Sequence, residues 1–248
     1  MKTKKILAAA LLAITLFSSC KKDDVSAAAE VSINPDGSLN ISDADGALYA
    51  IQARNYDTYN GATYDESQYV NAWFGKFPAI VDAGIVKVNN IELNNLANYY
   101  IEIASLSFGD TLFKPSNSIV AWNVQGNTTS GISAFTHTDN APLPAAPYFT
   151  LPASINTNNT LTVNHTSTGG NLGVLYTLIG DNGDTTKYVA NTSSNVTFTS
   201  AEIKSVAVSG GKAIGLSIMP VSYTSASYGN KKYYFVKQHQ YTRETVTQ

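Results

Sequence analysis

Ala213-Ile214-Gly215-Leu216-Ser217-Ile218-Met219-Pro220-Val221, with Lys232-Tyr233-Tyr234-Phe235-Val236 close behind it, is the stretch whose reading decides the fold. Both runs are short, apolar and rich in β-branched or aromatic residues, so they read as strands. Upstream, Leu161-Thr162-Val163, Gly173 to Ile179, Lys187-Tyr188-Val189 and Asn195 to Phe198 repeat the pattern, and Ala153-Ser154-Ile155 offers one more strand. Strands separated by turns at roughly 8 to 15 residues are what two facing sheets need to wrap one core. Asp181-Asn182-Gly183-Asp184 reads as a hairpin turn. One short helix is expected over Ser200–Val206, capped by Thr199 or Ser200 and crossing between sheets.

The N-terminal half follows the same grammar. Ala47 to Arg54 is a strand after the break at Asp43-Ala44-Asp45-Gly46, whose aspartates are turn residues rather than a calcium loop. Ile85 to Val88, the Asn89-Asn90 turn, Ile91 to Leu93, Tyr99 to Ile103, Phe108 to Phe113 and Ser118 to Val124 continue it. No long helical pattern interrupts, which excludes the usual nucleotide-binding α/β folds. Between Gly126 and Pro152 the four prolines Pro142, Pro144, Pro147 and Pro152 stand too close together for a continuous ladder. The expectation is an all-β chain of two β-sandwich domains in tandem, 31–141 and 142–248, joined by a stiff proline crossover.

Ahead of the β body lies a different kind of sequence. Residues 1–19 have a basic start (Lys2, Lys4, Lys5), an apolar run from Ile6 to Phe17 and the small pair Ser18-Ser19. That run is twelve residues long, short of the roughly 20 that a spanning helix needs, and reads as an export signal. Leu16-Phe17-Ser18-Ser19-Cys20 resembles the lipobox of bacterial lipoproteins. The resemblance implies cleavage before Cys20 and lipidation of that residue, with residues 20–30 as a tether. Several acyl chains would hold such a protein stably on a membrane. Cys20 is the single cysteine of the 248-residue chain, so the β body has no thiol and no disulfide.

Lys21-Lys22-Asp23-Asp24 is similar to the charged signature that follows the cysteine in lipoproteins of the Bacteroidota. It implies an outer-membrane anchor facing the cell exterior, with a periplasm-facing anchor as the alternative. Residues 142–245 resemble immunoglobulin-like and fibronectin-type-III-like modules. With Trp122-Asn123-Val124-Gln125-Gly126, the proline crossover and Lys231-Lys232-Tyr233-Tyr234-Phe235, the whole chain resembles Bacteroidota surface lipoproteins built from such modules. The Cys-Trp-Cys core of antibody domains is absent, so the resemblance assigns no sandwich topology.

Signals for chemistry are sparse. Formal charge is -2, and removing the leader takes three lysines and no acid, leaving no basic groove for nucleic acid. His137, His165 and His239 lack metal-ligand spacing, and no nucleophile elbow, Walker loop or H-E-x-x-H occurs. Neither a cofactor nor a metal is expected, and the chain reads as non-enzymatic, a hydrolase with a dispersed site being the weaker alternative. The aromatic-rich segment Asn55 to Phe77 suits either a hairpin core or sugar stacking. Tyr56, Tyr59, Tyr64, Tyr69, Trp73 and Trp122 are the candidate ligand-binding residues. Asp110-Thr111-Leu112 and Asp184-Thr185-Thr186 fit the short pattern of Bacteroidota protein O-glycosylation, making Thr111 and Thr185 candidate sites. The functional expectation is a lipid-anchored envelope protein with a binding or scaffolding role, its partners being the membrane and a glycan or envelope protein. A carbohydrate-binding lipoprotein using exposed aromatics is the alternative.

Overall fold

The structure, a computed structural model, describes residues 32–33, 39–41, 43–57, 63–105, 111–113, 119–166, 172–190 and 194–248. The chain is all-β. In order the strands are β1 (Ser32–Ile33), β2 (Leu39–Asn40), β3 (Gly46–Asp57), β4 (Thr63–Lys76), β5 (Ala79–Ile80), β6 (Val86–Val88), β7 (Ile91–Glu92), β8 (Asn94–Leu96) and β9 (Tyr99–Ser105). There follow β10 (Val120–Val124), β11 (Phe135–Asp139), β12 (Ser154–Ile155), β13 (Leu161–Asn164), β14 (Gly173–Gly180), β15 (Gly183–Ala190) and β16 (Asn195–Phe198). Helix α1 (Ser200–Val206) precedes the long hairpin of β17 (Ala213–Tyr228) and β18 (Lys231–Thr247).

A single ten-stranded sheet organises the molecule. Its order is β15-β14-β17-β18-β3-β4-β9-β8, with β12 added against β18 and β5 against β4. The β18–β3 pair is parallel, running from Tyr233↔Gly46 to Arg243↔Tyr56, while β3 and β4 form an antiparallel hairpin. Strands β3 and β18 are central and covered on both faces, which is why Ala47 to Ala53 and Tyr233 to Val236 read as near-continuous apolar runs rather than as alternation.

One face of this sheet carries two cores side by side. In the first, Leu48, Val70, Phe74, Tyr100, Tyr233 and Phe235 of the main sheet meet Val86, Val88, Trp122 and Phe135 of a four-stranded covering sheet, β11-β10-β6-β7. In the second, Tyr176, Leu178, Leu216, Ile218 and Tyr241 meet Leu161, Val163, Val196 and Phe198 of the β13–β16 pair, with Ile203 and Val206 of α1. The opposite face holds a third core of Tyr49, Ile51, Trp73, Tyr234 and Val236, closed in part by Ile41 and Ala44. Gly46 is hemmed in by both neighbouring strands of its own sheet: a Cβ there would lie 2.8 Å from the Trp73 carbonyl oxygen and 2.9 Å from the Tyr233 ring.

The boundary read at 141/142 divides the covering layers but not the main sheet. β6, β7, β10 and β11 all precede it, and β13, β16 and α1 all follow it, yet β3 and β4 share a sheet with β17 and β18. The parallel register of β18 on β3 carries Tyr233 and Phe235 into the first core.

Local signals match local structure. Asn89-Asn90 have φ 46° and 70°, and Ala97-Asn98 φ 52° and 69°, as two-residue turns with both central residues left-handed require. Asn94-Asn95 and Asn98 read as interruptions before Tyr99; of these Asn94 and Asn95 instead belong to β8, while Asn98 stands in the turn that follows. Thr199 caps α1 through a capping box: its hydroxyl accepts from the Glu202 N–H, and the Glu202 carboxylate accepts from the Thr199 N–H. Asp43 and Asp45 are turn residues that bind the β17–β18 hairpin to the start of β3. Asp45 accepts from the Lys232 N–H at 2.9 Å, and Asp43 accepts from Lys232 Nζ and the Tyr234 hydroxyl, each at 2.9 Å.

Candidate functional site

Along β18, alternate residues face the two-core side of the sheet. Tyr233 and Phe235 belong to the first core and Tyr241 to the second; between them, on the same face, stand Lys237 and His239. Neighbouring strands change character at the same level. On β3, Leu48 and Ala50 give way to Gln52 and Arg54; on β4, Phe74 to Val70 give way to Gln68 and Glu66. A polar seam therefore separates the two cores, and the proline crossover lies over it: Pro144 and Ala141 supply the carbonyls that cap it.

Lys237, Gln68 and Gln52 are each hydrogen-bonded within the seam. Lys237, 2 % exposed, places Nζ 3.4 Å from Asp139 Oδ1 and donates to the carbonyls of Asp139 and Ala141. Burial pulls its pKa down and the Asp139 carboxylate pushes it back up. Gln68 is fully enclosed, donating to the Phe113 carbonyl and accepting from the Leu112 and Phe113 N–H groups, which pins residues 112–113 to β4. Arg54 donates from Nε to Glu66 Oε1 at 2.9 Å and from a terminal nitrogen to the Tyr148 hydroxyl; Gln52 donates to the same Glu66 oxygen.

His239 is different. It is 8 % exposed, and its Nδ1 lies 3.1 Å from the Pro144 carbonyl oxygen. A carbonyl only accepts, so Nδ1 carries the proton. Burial holds the imidazole below its ordinary pKa, hence neutral at pH 7. Nε2 is then a bare acceptor, buried and without a hydrogen-bond partner among the described residues. His239, with Nε2 itself closed to solvent, also lines a cleft of about 300 Å³ whose other walls include Gln52, Arg54, Leu143, Pro144 and Tyr148. Tyr148 stands at its rim, half-exposed. A second cleft of about 380 Å³ lies between Leu151–Ala153 and Arg243–Val246. The other orphaned buried atoms, the hydroxyls of Tyr49, Thr224 and Tyr233, line neither.

The sequence candidates are scattered by comparison. Trp73 and Trp122 are 4 % and 2 % exposed and belong to different cores on opposite faces of the main sheet. Tyr69, half-buried on the Trp73 face, accepts from the Ser67 hydroxyl at 2.8 Å. These three form no common exposed platform. Tyr56 and Tyr64 lie on β3 and β4 with side chains outside the described ones, and Tyr59 and Cys20 lie outside the described residues. Thr111 is exposed and Thr185 half-buried on β15. Among the described residues no cluster of His, Cys, Asp and Glu has the geometry of a metal site.

Tyr148, His239, Arg54 and Gln52 were not singled out by motif. The available signal was periodic: read at every second residue, 233 to 241 runs Tyr, Phe, Lys, His, Tyr, a polar break inside a buried face. Compared with known proteins, the chain matches no protein-family model and no curated sequence.

Proposed function

We propose that this chain is a lipid-anchored cell-envelope protein with a non-enzymatic binding or scaffolding role. The observation that carries the reading is the junction Leu16-Phe17-Ser18-Ser19-Cys20 behind a basic and apolar leader. Acyl chains on Cys20 supply the membrane affinity, and Lys21-Lys22-Asp23-Asp24 directs the anchor to the outer membrane with the β body facing outward, in the manner of Bacteroidota surface lipoproteins. A body without thiols is consistent with this address, because its stability rests on three packed cores and no disulfide.

Incorporation of labelled palmitate into wild type but not into Cys20→Ser tests the anchor; equal label in both removes it. Protease accessibility on intact cells separates an outward from a periplasm-facing body. Binding is favoured over scaffolding by the cleft of about 300 Å³ lined by Gln52, Arg54, Leu143, Pro144, Tyr148 and His239, which has space for a small ligand. An array of glycans and envelope proteins probes that choice, and a folded protein that captures neither leaves scaffolding as the role.

A further inference from the structure

We propose that the rim of the third core at β8 and β9 is a membrane-contact surface, where Leu96, Ile103 and Phe77 settle at the headgroup–acyl boundary of the bilayer that holds Cys20. This rests on the anchor reading above and extends it from the tether to the folded body. Leu96, Phe77 and Ile103 are 61 %, 42 % and 41 % exposed. They share one face of the main sheet. Leu96 stands opposite Tyr99, Tyr99 opposite Trp73, Ile101 opposite Asn71 and Ile103 opposite Tyr69, and residues directly opposite each other point to the same side. Trp73 belongs to the third core, with Tyr69 and Tyr99 packed against that core, and the Phe77 ring lies 5.8 Å from the Trp73 ring. Strand β9 therefore sends Tyr100 and Ala104 into the first core and presents Tyr99, Ile101 and Ile103 on the other face. A contiguous apolar surface of this kind on a folded body marks a place of contact.

The place where the chain enters the body selects the occupant. Ser32 pairs with Asn40, so the β1–β2 hairpin returns the end of the tether to Ile41, and Ile41 and Ala44 close the third core on the face of the patch. The same segment runs beside Phe77: the Asp43 carbonyl accepts from Lys76 Nζ at 3.0 Å, and the Asp45 carbonyl from the Gly75 N–H at 2.8 Å. Twelve positions separate Cys20 from Ser32, at most about 40 Å of extended chain. An acylated Cys20 thus keeps this face at high effective concentration near lipid. Three exposed side chains offer far less than the about 800 Å² per partner of a stable dimer, whereas a lipid surface demands no matching shape. Tyr69 and Tyr99, half-buried beside the aliphatic residues, bring the polar-ended rings that suit the boundary. Lys76 is met by Asp45 at 3.3 Å, so the contact is apolar and needs no anionic lipid.

The test uses the full-length lipidated protein reconstituted in phosphatidylcholine vesicles. With Cys20 acylated, Leu96→Cys, Ile103→Cys and Val208→Cys each offer one thiol to a fluorophore, Val208 being 48 % exposed but outside the patch. All three sites are open to solvent, and thermal melting checks that each variant folds. Lipids carrying a nitroxide high on the acyl chain should quench the probe at 96 and 103 at least about twofold more strongly than at 208. The difference should persist at high salt, since no charge attraction underlies it. Equal quenching at the three positions overturns the proposal. So does energy transfer between copies labelled at 96 that rises with protein density while lipid quenching stays absent, an outcome that assigns the patch to a second copy. A wild-type protein that takes up the thiol probe or fails to float with the vesicles overturns the anchor and the contact together, whereas flotation with equal quenching removes the contact alone.

Discussion

Lys237 and Asp139 form an ion pair, Nζ to Oδ1 3.4 Å, with side chains only 2 % and 3 % exposed. The lysine ammonium also serves the Asp139 and Ala141 carbonyls, so one side chain locks the end of β11 and the start of the crossover onto β18. Removing a single partner leaves a buried charge unmet, and Lys237→Ala or Asp139→Ala is expected to cost about 3–5 kcal/mol in urea unfolding. A Lys237→Met, Asp139→Leu double variant should recover part of that loss but not all, because the Asp139 and Ala141 carbonyls lose the ammonium that serves them. Equal stability of either single variant and wild type would contradict this account.

Acid should destabilise the fold before its carboxylates titrate. His137, His165 and His239 are all held below the ordinary imidazole value, chiefly by burial. A histidine with a lowered folded pKa is neutral in both states above about 6.5. As pH drops below that value the unfolded chain takes up protons first, so stability falls until the folded pKa is reached. Thermal midpoints are therefore expected to be flat from pH 7 to 8 and to decline below about 6.5. Asp82, stabilised as a carboxylate first by the Tyr100 hydroxyl, is held below its usual range and contributes only to a later phase. His165→Gln and His239→Gln should each flatten the early decline; an unchanged slope in both would assign it elsewhere.

The two tryptophans act independently in stability. Trp122 belongs to the first core and Trp73 to the core on the other face, with no core neighbour in common. Each Trp→Ala change is expected to cost about 3–5 kcal/mol. The double variant should equal the sum within about 0.5 kcal/mol, which chemical denaturation of the four proteins measures.

Thr199 caps α1 reciprocally with Glu202, whose carboxylate Lys187 also meets at 2.8 Å. Thr199→Ala is expected to cost about 1 kcal/mol, whereas Thr199→Ser or Thr199→Asp should cost much less. Hydrogen exchange confined to residues 200–206 would follow the same order.

Local grammar made most strands legible, and its limits are physical. Asn89-Asn90, the 199–206 helix and the 213–221 and 232–236 strands follow from turn chemistry, capping and apolar runs that act within a few residues. Strand length was less visible. β17 continues past Pro220, which cannot donate; its pairing with β18 lapses at Met219-Pro220 and resumes at Val221↔Gln238 in the same register. The pairing of β18 with β3 had no local signal at all, since parallel neighbours are joined by tertiary packing rather than by a turn. The candidate cleft was hidden for the same reason: Arg54 and Gln52 come from one end of the chain, His239 from the other and Tyr148 from between. Aromatic density drew attention to 55–77, yet density does not say which face of a strand is wet, and Trp73 faces a core.

The parallel join of β18 to β3 also sets an order of events. Lys232 N–H meets Asp45 across 187 positions of sequence. A chain emerging from the ribosome N-terminus first therefore makes β3 and β4 long before the strand that belongs beside them exists. Until then the β3–β4 hairpin has an open, apolar edge and half a core, and closure must wait for a loop of that length to be gathered in. If the chain is exported as proposed above, the wiring of one sheet would postpone folding to the far side of the export channel, with the edge of β3 the segment left open meanwhile.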